Sequence, residues 1–186
     1  MKILITGAAG FIGYHLIKKI LNKNKKVIGI DNINNYYDTS LKKDRINNLK
    51  KYKKFTFYKI DLSNYKKLND IVKKNKINII IHLAAQAGVR DSTKYPQTYF
   101  KSNLEGFFNI LEISRDNKIK HLIFASTSSV YGNSKKFPLN ENVRTDQPLS
   151  FYAATKKSNE VMAHSYSYIY KLPCTGLRFF TVYGPF

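Results

Sequence analysis

The sequence predicts an α/β fold built on a doubly wound parallel sheet, and three observations carry that expectation. Short runs rich in Ile, Val, Leu and Phe alternate with longer amphipathic stretches, the pattern of βαβ units. A glycine-spaced turn, Thr6-Gly7-Ala8-Ala9-Gly10-Phe11-Ile12-Gly13, joins the first apolar run to the first amphipathic one. Asp31 closes the second apolar run, 18 residues after Gly13. A chain of 186 residues can bury one substantial core, so a single domain over 1–186 is expected.

Taken in order, the strand candidates are 2–6, 26–31, 55–60, 78–83, 119–126 and 173–180. Most are short and β-branched or aromatic, as strands covered on both faces should be. Helix candidates lie between them at 11–23, 40–51, 64–75, 96–116 and 151–171. In the 96–116 helix, Phe100, Leu104, Phe107, Phe108 and Leu111 recur at helical spacing, and Pro96 suits its first turn. The stretch 127–150, with Gly132, Pro138 and Pro148, reads as a long loop of the length that often carries function.

Composition removes several alternatives. Hydrophobic residues make up 43% of the chain, too many for a disordered segment. No apolar run approaches the roughly 20 residues that span a bilayer. The run Met1–Gly7 is too short for a signal peptide, and the single cysteine, Cys174, fits a reducing compartment, so a cytoplasmic location is expected. The net charge of +20 raises nucleic acid as a partner. Lysine supplies 27 of the 32 basic residues, in scattered pairs such as Lys18-Lys19, Lys73-Lys74 and Lys135-Lys136, with no stripe and no interleaved aromatics. That pattern reads as compositional drift, and no nucleic-acid partner is assigned.

The glycine turn has the chemistry of a dinucleotide site. Glycine at 7 permits the tight turn, glycine at 10 lets the backbone approach a pyrophosphate, and glycine at 13 lets helix pack on strand. The helix start at Phe11 and Ile12 then offers unpaired N–H groups to phosphate. Asp31, followed by Asn32, sits where a carboxylate accepts hydrogen bonds from an adenosine ribose, and its charge favours NAD over NADP. Asp61-Leu62 closes the third strand and either meets the adenine or, through Asp61, caps the next helix.

Downstream, Tyr152 and Lys156 are four apart on a helix and share a face. A phenol with a pKa near ~10 is a poor base at neutral pH unless a neighbouring cation favours phenolate. A hydroxyl cluster, Ser126-Thr127-Ser128-Ser129, follows the strand Leu122–Ala125 at the sheet edge that faces ligands in doubly wound folds. One hydroxyl there completes an acid/base site for redox chemistry at a carbinol. No metal is implied.

With these residues in place, the sequence resembles the extended short-chain dehydrogenase/reductase family, in particular its nucleotide-sugar epimerases, over essentially its whole length. Within that group it is most similar to the UDP-glucuronate 4-epimerases. The closer likeness rests on Asp31-Asn32-Ile33-Asn34-Asn35-Tyr36-Tyr37-Asp38, Ala84-Ala85-Gln86-Ala87-Gly88-Val89-Arg90, Ser126 to Gly132 and Arg178-Phe179-Phe180-Thr181-Val182-Tyr183-Gly184-Pro185. The resemblance implies a Rossmann domain that holds NAD, with Ala84, Ala85 and Asn103 lining the cofactor site. It also implies Thr127 as the catalytic hydroxyl, Tyr152 as the base and Lys156 as the residue that positions and activates it. In the implied cycle Tyr152 takes the C4 hydroxyl proton, the 4-keto sugar turns over, and hydride returns to its other face with no net use of NAD.

Related dehydratases carry an Asp-Glu pair after the catalytic hydroxyl, where this chain has Ser128-Ser129, so dehydration is not expected. UDP-galactose epimerases typically carry Asn where Thr181 stands. Ser128, Arg90 and Thr181 are therefore the candidates for substrate contact, Arg90 and Thr181 near a sugar carboxylate. Asp91 departs from the aromatic residue expected after that arginine. The family also implies a region beyond Phe186 that covers nucleotide and sugar, so the substrate region is expected to be missing here. It further implies a homodimer formed through the 96–116 and 151–171 helices.

Overall fold

The computed structural model describes residues 1–135 and 137–185; Lys136 and Phe186 lie outside the described residues. Six parallel strands form one sheet in the order β3-β2-β1-β4-β5-β6. They are β1 (Lys2–Thr6), β2 (Lys26–Asp31), β3 (Phe55–Lys59), β4 (Ile79–His82), β5 (His121–Thr127) and β6 (Cys174–Phe179). The chain first builds outward from β1 to β3, then returns to lay β4 on the other side of β1. That reversal leaves a crevice between β1 and β4 at their carboxyl ends, where doubly wound sheets bind ligands.

Strand alternation divides the core between the two faces. Ile3 and Ile5 of β1 join Val27, Ile17, Leu21, Ile46 and Leu49 under helices α1 (Phe11–Asn22) and α2 (Thr39–Lys50). Leu4 points the other way, with Ile28, Ile30, Leu68, Ile80, Phe107, Ile110 and Phe124. That face is covered by α3 (Tyr65–Asn75), α6 (Gly106–Asp116) and α7 (Phe151–Tyr170). Each such fully buried aliphatic or aromatic side chain contributes roughly 1.5–3 kcal/mol relative to exposure. β6 is an edge strand, and Thr175, Gly176 and Leu177 are exposed, unlike the double coverage expected of most strands.

Helix starts follow local chemistry. Asp38 accepts from the Ser40 N–H at α2, Asn64 from Lys67 at α3, and Ser150 from Ala153 at α7. The helix expected over 96–116 is in fact α5 (Pro96–Tyr99), a π-helical stretch over Phe100–Glu105, and α6. Its aromatic stripe also divides. Phe107 and Leu111 are fully buried, whereas Phe100 and Phe108 are 53% and 46% exposed. Consecutive residues stand about 100° apart around a helix, so Phe107 and Phe108 serve different faces. The loop expected over 127–150 begins later than its reading: β5 runs through Thr127, and Ser128–Tyr131 is a 3₁₀ turn. A short helix, α4 (Asp91–Lys94), was not foreseen.

Candidate active site

Gly7 adopts φ +72°, and a Cβ there would lie 2.8 Å from the Ala84 backbone nitrogen on the next strand's exit. A Cβ on Gly13 would lie 2.1 Å from the Gly7 carbonyl oxygen, so the helix packs on the turn only without one. The turn is closed by Gly10 N–H to Gly7 O at 3.0 Å and tied to β2 by Ala8 N–H to Ile30 O at 3.0 Å. Gly10 is the N-cap of α1 and brings no side chain to that end. The first residues of the helix, Phe11, Ile12 and Gly13, therefore face a crevice of about 430 Å³ with their N-terminal dipole.

Across that crevice stand Asp31, Asn32, Asp61, Leu62, Ala84 and Ala85, as read from the sequence. Asp31 Oδ2 accepts from Ala9 N–H at 3.0 Å and Oδ1 from Ile33 N–H at 2.8 Å, which fixes the carboxylate and leaves each oxygen a further lone pair. Asn32 donates to Asp61 Oδ2 at 2.8 Å, and Ser63 donates twice to Asp61 Oδ1. Partial burial raises the Asp61 carboxyl, but hydrogen bonds from Asn32 and Ser63 outweigh it and bring it below its usual range. Asp61 does not cap α3; Asn64 does, because only its side chain reaches the Lys67 N–H. An uncapped helix end opposite a held carboxylate, in a cradle that a Cβ would fill, fits a dinucleotide.

Asn103 stands behind Gln86, which itself lines the crevice. It is buried in the π-helical stretch, its Oδ1 accepts from Gln86 N–H at 2.7 Å, and its Nδ2 donates to Gln86 O and Thr155 Oγ1. Both ends of the amide are thus spent on the wall behind the crevice, and Asn103 is not among the residues that line it. Lys42 and Arg45, neither singled out in the sequence, also line the crevice, beside Tyr36 and Tyr37. Arg45, 4% exposed, donates to Ala9 O at 3.2 Å and to Tyr37 Oη at 3.1 Å. Lys42 donates to Asn34 O and Oδ1, and burial lowers its pKa despite Asp31 nearby. Their signal was an i, i+3 spacing alongside Ile46 and Leu49 on a helix whose composition otherwise reads as solvated.

The second half of the site is built on β5 and α7. Thr127 ends β5, and its hydroxyl accepts from Ser129 N–H at 3.1 Å and contacts Ser129 Oγ at 3.2 Å. Tyr152 stands in the first turn of α7 with Lys156 one turn on, as the spacing required. Burial pushes the Tyr152 phenol above its ordinary value, and a hydrogen bond with Thr127 partly offsets this. Desolvation is the largest influence on the phenol. Lys156 is 1% exposed, and burial lowers its pKa from 10.5 to about 8. Tyr99 joins the two halves. Its ring meets the Tyr152 ring edge-on at 6.2 Å, and its hydroxyl donates to Ala87 O and Gly88 O on the crevice wall.

The substrate candidates are not brought together by hydrogen bonds. Ser128 is half-buried at the start of the 3₁₀ turn, whereas Arg90 and Thr181 are exposed, at the head of α4 and just past β6. Asp91 accepts from the Tyr36 hydroxyl at 2.9 Å. Ser126, a neighbour in the hydroxyl cluster, turns away from Tyr152 and donates to Glu160 at 2.6 Å. Among the described residues, no three His, Cys, Asp or Glu side chains gather as metal ligands, and no helix is long and apolar enough to cross a membrane.

Comparison with known proteins agrees with this architecture. The model of the NAD dependent epimerase/dehydratase family matches residues 3–186. Protein CapI of Staphylococcus aureus is 55% identical over 185 residues, which cover 100% of this chain and 55% of CapI. The UDP-glucuronate 4-epimerase of Thermodesulfobacterium geofontis is 46% identical over 182 residues, 98% of this chain and 56% of that protein. Among solved structures, UDP-glucuronic acid 4-epimerase from Bacillus cereus, crystallised with UDP-glucuronic acid and NAD, superposes with a TM-score of 0.92 at 40% identity. That match covers 100% of this chain and 58% of the other. The chain thus spans a little over half the length of these relatives.

Proposed function

The chain belongs to the NAD dependent epimerase/dehydratase family, and from that premise we propose that it forms the dinucleotide-binding and acid/base part of a nucleotide-sugar 4-epimerase that interconverts UDP-glucuronate and UDP-galacturonate. The observation that carries the reading is the juxtaposition of a glycine-turn crevice with Thr127, Tyr152 and Lys156, joined through Tyr99. The substrate assignment draws its support from the relatives of that name.

In this reading Gly7, Gly10, Phe11, Ile12 and Gly13 receive the pyrophosphate, and Asp31 with Asn32 receives the adenosine ribose. Bound NAD supplies a hydride acceptor that becomes the donor in the return half. Tyr152, as phenolate, takes the proton of the C4 hydroxyl and later gives it back. The Thr127 hydroxyl holds that oxygen and favours the ionised phenol. Lys156, poised near pH 8, supplies positive charge beside the phenol without ion-pairing elsewhere being required. Ser128, Arg90 and Thr181 are the proposed substrate contacts.

The whole protein, incubated with NAD and UDP-glucuronate, should yield UDP-galacturonate by anion-exchange chromatography. Turnover of UDP-galactose alone would overturn the substrate, and NAD binding without any turnover would reduce the chain to a cofactor-binding module. We also propose a cytoplasmic homodimer joined through α5–α6 and α7. The exposed Phe100, Phe108, Phe151 and Val161 on those helices support it. Sedimentation equilibrium should return twice the chain mass, and a monomer at micromolar concentration would contradict it.

A further inference from the structure

One side chain outside the acid/base triad touches every element that carries it. Glu160 lies on α7, one turn beyond Lys156 and two beyond Tyr152. Its Oε1 accepts from Ser126 Oγ at 2.6 Å and from Arg178 Nε at 2.9 Å. Its Oε2 accepts from Arg178 Nη2 at 3.0 Å and from Lys157 Nζ at 3.4 Å. Ser126 is the residue before Thr127 on β5, so the first of these bonds fixes α7 against the strand that presents the catalytic hydroxyl.

Arg178 extends the grip. From β6 it donates to Glu141 O at 3.3 Å and to Thr145 Oγ1 at 3.4 Å, and it lies 5.0 Å from the centroid of the Tyr131 ring. Tyr131 ends the 3₁₀ turn that begins at Ser128. Lys157 also donates to Thr145 Oγ1, at 2.7 Å. The glutamate side chain is 13% exposed and the guanidinium 19%, so the pair is shielded and bidentate rather than a solvated surface contact.

We propose that Glu160 is a positioning residue for the acid/base couple: with Arg178 and Ser126 it sets the register of α7 on β5, and with it the distance between the Tyr152 phenol and the Thr127 hydroxyl. This rests on the acid/base reading given above. A bolt whose role is only stability would hold helix to sheet without regard to that distance. Displacement of a reacting group by about 1 Å can cost on the order of 100-fold in rate, so the two roles separate in kinetics.

The experiment compares Glu160→Gln, Arg178→Lys and Ser126→Ala with the wild type in the whole protein. Three quantities are read: kcat for UDP-glucuronate, Kd for NAD, and the ¹³Cζ chemical shift of Tyr152, assigned with Tyr152→Phe. Glu160→Gln should lower kcat about 10- to 100-fold with the NAD Kd within about twofold, Arg178→Lys should retain part of the rate, and the Tyr152 resonance should move in each. Ser126→Ala leaves the ion pair intact, folds if Glu160→Gln does not, and should still lower kcat about threefold and move the resonance. Unchanged kcat and an unmoved resonance in Ser126→Ala and Glu160→Gln overturn the inference, even if the unfolding temperature falls. A wild type without turnover overturns the parent reading instead, and the resonance still decides the positioning role.

Discussion

The two halves of the site are made of different materials. The dinucleotide half is mostly backbone: a turn at Gly7, a bare helix end at Gly10, and wall segments at Ala84 and Ala85, with one carboxylate, Asp31, held by two N–H groups. The proposed acid/base half is mostly side chain: a phenol and an ammonium on α7 and a hydroxyl at the end of β5, with α7 tied to β5 and β6 through Glu160. A backbone site depends on what is absent, since any Cβ at Gly13 collides with Gly7 O. A side-chain site depends on what is present and on costs of burial that the chemistry imposes. Lys156 shows that cost, being almost wholly buried with its pKa drawn down to about 8.

Substitutions should therefore break the halves in different ways. Tyr152→Phe is expected to give the largest effect, a loss of about 10²–10⁴ in kcat with NAD affinity and unfolding temperature unchanged, read by steady-state kinetics and calorimetry. Gly13→Ala should do the reverse. It should weaken NAD binding at least about tenfold and destabilise the fold by roughly 1–3 kcal/mol, since the turn must shift to admit the methyl group. A Gly13→Ala protein with wild-type affinity for NAD would remove the distinction between the halves.

Lys156→Met sharpens the comparison through pH. The folded chain holds Lys156 at about 8 against an ordinary 10.5, so between those values the unfolded chain binds more protons. Stability should rise as pH climbs through that window, and the penalty is fully present below pH 8. Replacing the lysine by methionine should remove this slope and raise stability at pH 7 by about 1–3 kcal/mol while lowering kcat. Urea titrations at pH 7 and pH 10 measure both. At neutral pH a smaller effect is expected at His82, which is fully buried against Thr6 and has its pKa lowered by burial from 6.5 to about 3. The unfolded chain alone takes up this proton as pH drops below 6.5, so His82→Gln should flatten the acid limb of the stability profile.

The same contrast governs how much could be read from the chain itself. The strands and the glycine turn were legible because alternation and glycine spacing are local, and β1 and β2 lie at the bounds read for them. Tyr152 and Lys156 were legible because four residues on one helix make a face. Lys42 and Arg45 were not, since a lysine and an arginine on a polar helix read as solvated until Tyr37 and Ala9 are seen to hold the arginine. The partners of Asn103, Gln86 and Thr155, lie 17 and 52 residues away, so no local pattern announces its buried hydrogen bonds. Glu160 went unread for a like reason: its partners Ser126 and Arg178 are 34 and 18 residues distant. The π-helical stretch at Phe100–Glu105 left no mark in the apolar spacing.

The central claim is that the crevice and Tyr152 serve one reaction at one carbon, with the hydrogen of that carbon held inside the site. Incubation of the whole protein and NAD with UDP-glucuronate deuterated at C4, in ordinary water, tests it directly. Mass spectrometry of the UDP-galacturonate formed should find the deuterium still at C4. Product that has exchanged C4 deuterium with solvent, or no product at all, would contradict the account.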